Sequence, residues 1–122
     1  MTDRQSGTNL FLRNTRDIEW VKQGGQRAST GLFNLLIRRA DGMETKVAII
    51  VGRRFGTAVS RNRAKRIFRE LARLVRGRLF PGYRFLVFPK RECLTAEFSR
   101  VRTVWINSLG RHGLIADGGL PS

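Results

Sequence analysis

Lys46-Val47-Ala48-Ile49-Ile50-Val51-Gly52-Arg53-Arg54-Phe55-Gly56-Thr57-Ala58-Val59-Ser60-Arg61-Asn62-Arg63-Ala64-Lys65-Arg66-Ile67-Phe68-Arg69-Glu70-Leu71 is the stretch on which the fold turns. Its opening run, Lys46 to Val51, is nearly all apolar and rich in β-branched residues, the pattern of a largely buried strand. Past Gly56 the periodicity becomes helical, and a helix fits residues 57–76, ending at Gly77. On a wheel of about 100° per residue, Arg61, Asn62, Lys65, Arg66, Arg69, Arg73 and Arg76 fall within roughly 140°. Ala64, Ile67, Phe68, Leu71, Leu74 and Val75 occupy an opposing arc of roughly 120°, with Arg63 and Glu70 on one border. An apolar arc of that width predicts a helix resting on a core.

The cationic arc is harder to explain as ordinary surface. Residues 61, 65, 69 and 73 are all basic, and like charges at this spacing repel by about 0.2–0.5 kcal/mol per pair. Glu70 is the sole acid between Arg53 and Arg78, against ten basic residues. An anionic partner relieves that repulsion. A membrane surface or an acidic protein would also attract a basic helix. Using the apolar arc for lipid would leave the strands uncovered, so nucleic acid is the better reading. Arg53 and Arg54 lie between strand and helix, near Arg61 and Arg63, and the first-turn N–H groups around Thr57–Ser60 offer a phosphate seat.

Outward from this unit, Asn14-Thr15-Arg16-Asp17 opens a short helix that Gly24-Gly25 ends, with Asn14 or Thr15 as its cap. Ile18 and Val21 are its apolar pair, with Trp20 to one side. Residues 32–38 read as a strand, and Asp41-Gly42 as a turn that pairs it antiparallel with residues 46–51. Pro81-Gly82 precedes a third strand over residues 83–88. Thr95 is placed to cap a last helix whose Phe98, Val101, Val104, Trp105, Ser108 and Leu109 share a face. The expectation is an α+β fold, a sheet of three to four strands packed against helices in the order α-β-β-α-β-α. One domain is expected over residues 10–112, with flexible tails at residues 1–9 and 113–122.

Composition agrees with this chemistry. The 122 residues include 24 Lys and Arg against 9 Asp and Glu, a formal charge of +15, which favours polyanionic partners. Only Lys22, Lys46, Lys65 and Lys90 are lysines; the guanidinium groups that dominate make planar, bidentate phosphate contacts. Cys93 is the single cysteine, so no internal disulfide forms, and no disulfide-linked partner is expected. The first nine residues lack a signal-peptide layout, and no apolar run approaches the ~20 residues of a membrane span. A cytoplasmic protein without a membrane partner is therefore expected. One histidine, His112, and scattered acids present no metal-ligand cluster and no catalytic set, so neither metal nor catalytic residues are assigned.

Residues 47–70 closely resemble the signature of the bacterial ribonuclease P protein component: a strand ending in two basic residues, a Gly-x-Ala-Val step, then Arg-Asn-Arg-x-x-Lys-Arg-x-x-Arg-Glu. The resemblance implies the ribosomal protein S5 domain 2-like fold and a subunit that binds a large catalytic RNA. Together they remove the 5′ leader of precursor tRNA, with the catalytic centre in the RNA and its magnesium. Ribonuclease P RNA and precursor tRNA are thus the implied partners. Carried over by position, Arg53, Arg54, Arg61, Asn62, Arg63, Lys65, Arg66 and Arg69 are the implied RNA-binding residues. A cleft between the first helix and the sheet holds the leader in the family, and Ile18, Trp20, Val21, Phe33 and Leu35 are the candidates for it here. The chain departs from the pattern at Ile18 and Val21, where aromatics are usual, and at Ala48, where glycine is usual. The alternative is a ribosomal or general structured-RNA-binding protein with no role in tRNA cleavage.

Overall fold

The computed structural model describes residues 10–116; the expected tail at residues 1–9 and the end of the second tail, residues 117–122, lie outside them. Helix α1 spans Thr15–Gly24, followed by strands β1 (Gln26–Ser29), β2 (Phe33–Arg39) and β3 (Lys46–Ile49). Helix α2 (Ala58–Val75), strand β4 (Tyr83–Pro89) and helix α3 (Phe98–Arg111) complete the domain. The expected α+β class and element order are present, with β1 as an additional strand.

The sheet order is β1-β2-β4-β3. This corrects the expected hairpin: β2 does not pair with β3. Instead β4 enters between them, antiparallel to β2 and parallel to β3, with α2 as the crossover. The Asp41-Gly42 turn therefore spans a strand's width. Its flanks bond to the start of β4, Ala40 N–H to the Gly82 carbonyl and Gly82 N–H to the Met43 carbonyl. Phe85, Leu86 and Val87 are fully buried, as a central strand covered on both faces requires. At the other side of β3, Leu12 N–H donates to Val47 O at 2.8 Å and Val47 N–H to Leu10 O at 2.9 Å, which covers that edge.

Helices cover both sheet faces. Against one face, α2 and α3 bury Phe68, Leu71, Val75, Trp105 and Leu109 on Phe33, Leu35, Val47, Phe85 and Val87. The Trp105 ring stands edge-on to Phe33 and Phe68 at 5.6 and 5.7 Å, and its indole N–H donates to the Leu71 carbonyl. Against the other face, α1 buries Val21 on Leu12, Ala48 and Leu86.

Local details differ from expectation in three places. Leu74, placed in the apolar arc of α2, is exposed, while Ala72 is buried. Thr95 does not cap α3; it bonds back to Glu92, and Glu97 is the capping position, without a side-chain hydrogen bond. The expected tail also starts later: Leu114 and Ile115 are buried in the core, and Phe80 N–H donates to Leu114 O.

Candidate nucleic-acid interface

The basic helix begins where backbone conformation demands a glycine. Gly56 has φ 156° and ψ −155°, a region essentially closed to side chains. Thr57 then caps α2, its side chain accepting from Ser60 N–H at 3.1 Å. Arg61 folds back to donate to the Gly56 carbonyl at 2.8 Å, so it braces this turn and is half-buried. Arg53 and Arg54 sit in the short 3-10 turn Arg53–Phe55, both exposed, anchored by the half-buried Phe55 ring.

Along α2, Asn62, Arg63, Arg66, Arg69 and Arg73 are exposed and Lys65 half-buried. The opposite side buries Ala64, Phe68, Leu71 and Val75, so the two faces separate as the wheel predicted. Among the described residues the ion pairs are Lys22–Glu19 and Arg39–Asp41 alone; none involves α2, Glu70 included. A shallow groove of about 390 Å³ joins Arg69 and Arg73 to Arg13, Phe11, Ile18, Ala48 and Ile50. The cationic face of α2 therefore runs on into the space between α1 and the sheet. Arg73 was visible in the sequence as the next member of the four-residue spacing. Arg13 was not, because only the pairing of residues 10–12 with β3 brings it there.

The cleft candidates separate. Ile18 is half-buried and lines that groove. Trp20, 37% exposed, points to the other side of α1, where the Arg38 guanidinium stacks on it at 3.9 Å. Val21 is buried beneath α1 and anchors it. Phe33 and Leu35 are a correction: both are 0% exposed, on the α2–α3 face of the sheet, away from α1. Strand alternation gives the α1 face of the sheet to Asn34, Leu36 and Arg38 instead, Asn34 and Leu36 on the Lys22 side of α1 and Arg38 on the Trp20 side. A second hollow of about 390 Å³ on that face is bordered by Lys22, Arg27, Asn34, Leu35, Leu36 and Phe88, with Leu35 presenting no exposed surface to it. Phe88 supplies an aromatic side chain that the sequence reading missed, although alternation along β4 puts residues 84, 86 and 88 together.

Burial pushes the Cys93 thiol up to about 11, with Glu92 adding and Arg63 opposing, so it is not a nucleophile at neutral pH. Among the described residues no three His, Cys, Asp or Glu side chains gather where they could hold a metal ion, and no helix is long and apolar enough to cross a membrane.

Residues 7–113 match the family model for Ribonuclease P. This chain belongs to the ribonuclease P protein family. A ribonuclease P protein component from Synechococcus is 36% identical over 96 residues, covering 75% of this chain and 72% of that one. One from Herpetosiphon aurantiacus is 34% identical over 91 residues, covering 75% of this chain and 74% of that one. Among solved structures, the RNase P protein of Thermotoga maritima superposes with a TM-score of 0.73 at 30% identity, over 83% of this chain and 96% of that chain. The Staphylococcus aureus RNase P protein shares the fold, with a TM-score of 0.74 at 15% identity, over 85% of this chain and 95% of that chain. The activity is thus that of ribonuclease P, a ribonucleoprotein endoribonuclease of tRNA 5′ processing, to which this chain contributes the protein component. The alternative of an RNA-binding protein outside tRNA processing draws no support from these relatives.

Proposed function

We propose that α2 and the Arg53–Phe55 turn bind ribonuclease P RNA, while the face between α1 and the sheet holds the 5′ leader of precursor tRNA. The observation that carries this reading is the cationic face of α2, which has no ion pair among the described residues and runs through Arg69 and Arg73 into the α1 groove. An RNA strand supplies the missing negative charge, and six neutralised phosphates would give a log–log salt slope of about −5, with duplex DNA as guide. In the cleft, Ile18, Leu36 and Phe88 offer apolar surface for unstacked bases, and Lys22 and Arg27 offer charge for the backbone between them.

The division of labour follows from the side chains. Arginines position and neutralise; they neither move protons at neutral pH nor bind magnesium. Magnesium and the cleavage step belong to the RNA in this reading, and the protein raises substrate affinity. The cytoplasm, where precursor tRNA is processed in bacteria, is the proposed location.

The test is cleavage of precursor tRNA by the cognate RNA at low magnesium, with and without the protein. Stimulation is expected, together with tighter binding of precursor than of mature tRNA. Absence of stimulation overturns the reading, and cleavage by the protein alone would reassign the chemistry to it.

A further inference from the structure

On the side of α1 away from the leader cleft, the sheet carries three cations in one row. Lys46 of β3 is the register partner of Arg84 in β4, and Arg84 is the partner of Arg38 in β2. All three project to the α1 face, the face they share with Ala48, Leu86 and Leu36 two residues along each strand. Trp20 and Lys22 are about 200° apart on α1, so the side bearing Trp20 and Arg38 is opposite the hollow bordered by Lys22.

Direct cross-strand pairs of like charge are destabilising. Burial aggravates it here, for Arg84 is only 7% exposed. Its protein partners are the Glu44 carbonyl and the Met43 thioether at 3.9 Å, a weak acceptor. Among the described residues no carboxylate lies within ion-pair reach of Lys46, Arg84 or Arg38. Two acids lie near this corner in sequence: Glu44 meets Arg84 through its backbone carbonyl and forms no ion pair, and Asp41 pairs with the exposed Arg39 at 2.7 Å.

The row is also held in place. Arg38 donates to the Trp20 carbonyl and stacks on the Trp20 ring, which fixes its guanidinium over the last turn of α1. Gly24 makes that possible, since a Cβ there would fall 2.5 Å from Arg38 Cζ. A side chain held this way by aromatic stacking, a backbone acceptor and a glycine gap loses little freedom on meeting a ligand.

We propose that Lys46, Arg84 and Arg38 form a second RNA-binding site, a phosphodiester-binding row on the Trp20 side of α1. Its ligand chemistry is the phosphate backbone, from either a strand of the RNA subunit or a substrate leader long enough to pass around α1. The identity of the polyanion rests on the ribonuclease P reading.

The test uses the full chain carrying Lys46→Gln with Arg38→Gln, checked for folding by thermal melting. Salt dependence of binding is measured in two arms: the RNA subunit alone, and precursor tRNAs of short and long leader on the assembled holoenzyme. The log–log slope should shrink by about 1 per lost phosphate contact, hence by about 2. A change in the first arm assigns the row to the RNA subunit; a change confined to long leaders assigns it to substrate. Unchanged slopes in both arms, with the variant folded, overturn the proposal. Should the double variant misfold, Lys46→Glu alone carries the same test, because among the described residues the Lys46 side chain has no ion-pair partner to lose. If the unaltered protein binds neither RNA, the ribonuclease P reading fails instead, so the two failures are distinguishable.

Discussion

Phe33→Ala and Phe88→Ala should fail in opposite ways, because the two aromatics sit on opposite faces of the sheet. Phe33 is 0% exposed and stands edge-on to Phe68 at 5.4 Å and to Trp105 at 5.6 Å. Truncating a phenylalanine so enclosed costs about 3–5 kcal/mol, and the two lost aromatic contacts argue for the upper half of that range. With an unfolding entropy of about 0.2 kcal/mol per degree for a domain of this size, about 4 kcal/mol lowers Tm by roughly 15–20 °C. Such a loss is a large share of the ~5–15 kcal/mol that holds a domain together. Phe88 is half-buried on the cleft face, so Phe88→Ala should cost only about 1–2 kcal/mol of stability. What it should remove is base stacking, worth ~1–3 kcal/mol per base, and with it about 10-fold or more of the preference for precursor over mature tRNA. Thermal melts and paired binding titrations with the RNA subunit present read both quantities. The reasoning is refuted if Phe33→Ala melts normally yet loses the precursor preference, since β2 would then face the other way.

Arg63→Gln should leave Tm unchanged and lower the salt slope for RNA binding by about 1, as read by titrations across ionic strength. Arg61→Ala should show the same binding loss plus a stability cost of about 1–2 kcal/mol, because its bond to the Gly56 carbonyl goes too; equal Tm values for the two variants would contradict that bracing role. Gly56→Ala should destabilise by about 1–3 kcal/mol through its backbone conformation, measured by urea unfolding. Cys93 has a folded pKa raised from 9.0 to about 11, so its contribution is complete below pH 9 and fades as pH rises through 11. Native protein at pH 8 should therefore resist thiol reagents, and modification at the unfolded rate would argue against burial of that thiol.

The strongly periodic elements were legible without coordinates. Helix α2 announces itself because basic residues at a four-residue spacing, Arg61, Lys65, Arg69 and Arg73, alternate with Phe68, Leu71 and Val75, and both faces follow from local geometry. The short α1 was legible in outline, through Asn14 at its start and the glycine pair at its end. Extent failed where the signal was weak: β1, Gln26-Arg27-Ala28-Ser29, is a polar edge strand with one buried residue, and nothing in it distinguishes a strand from a loop. Leu114 and Ile115 escaped notice because the short apolar pair stands between Gly110 and Gly113 on one side and Gly118-Gly119 on the other, all of them turn signals.

Pairing and facing were a different matter. Residues 35–37 are Leu, Leu and Ile in succession, because a strand covered by helices on both sides needs apolar groups on each. A run of that kind holds no phase, so the sequence could not say whether Phe33 or Asn34 faced α1. Trp105 and Phe68 decide it, by enclosing the Phe33 ring from elements 35 or more residues away. Strand order is likewise non-local: Asp41-Gly42 looks like a hairpin turn, yet the crossover through α2 returns β4 to the gap between β2 and β3. By itself, then, the sequence determined the element types, the charged face of α2 and the family, all of which rest on local spacing. The tertiary structure alone decided strand order, the lining of the cleft and the row of Lys46, Arg84 and Arg38, because each depends on which distant backbone supplies the hydrogen-bond partner.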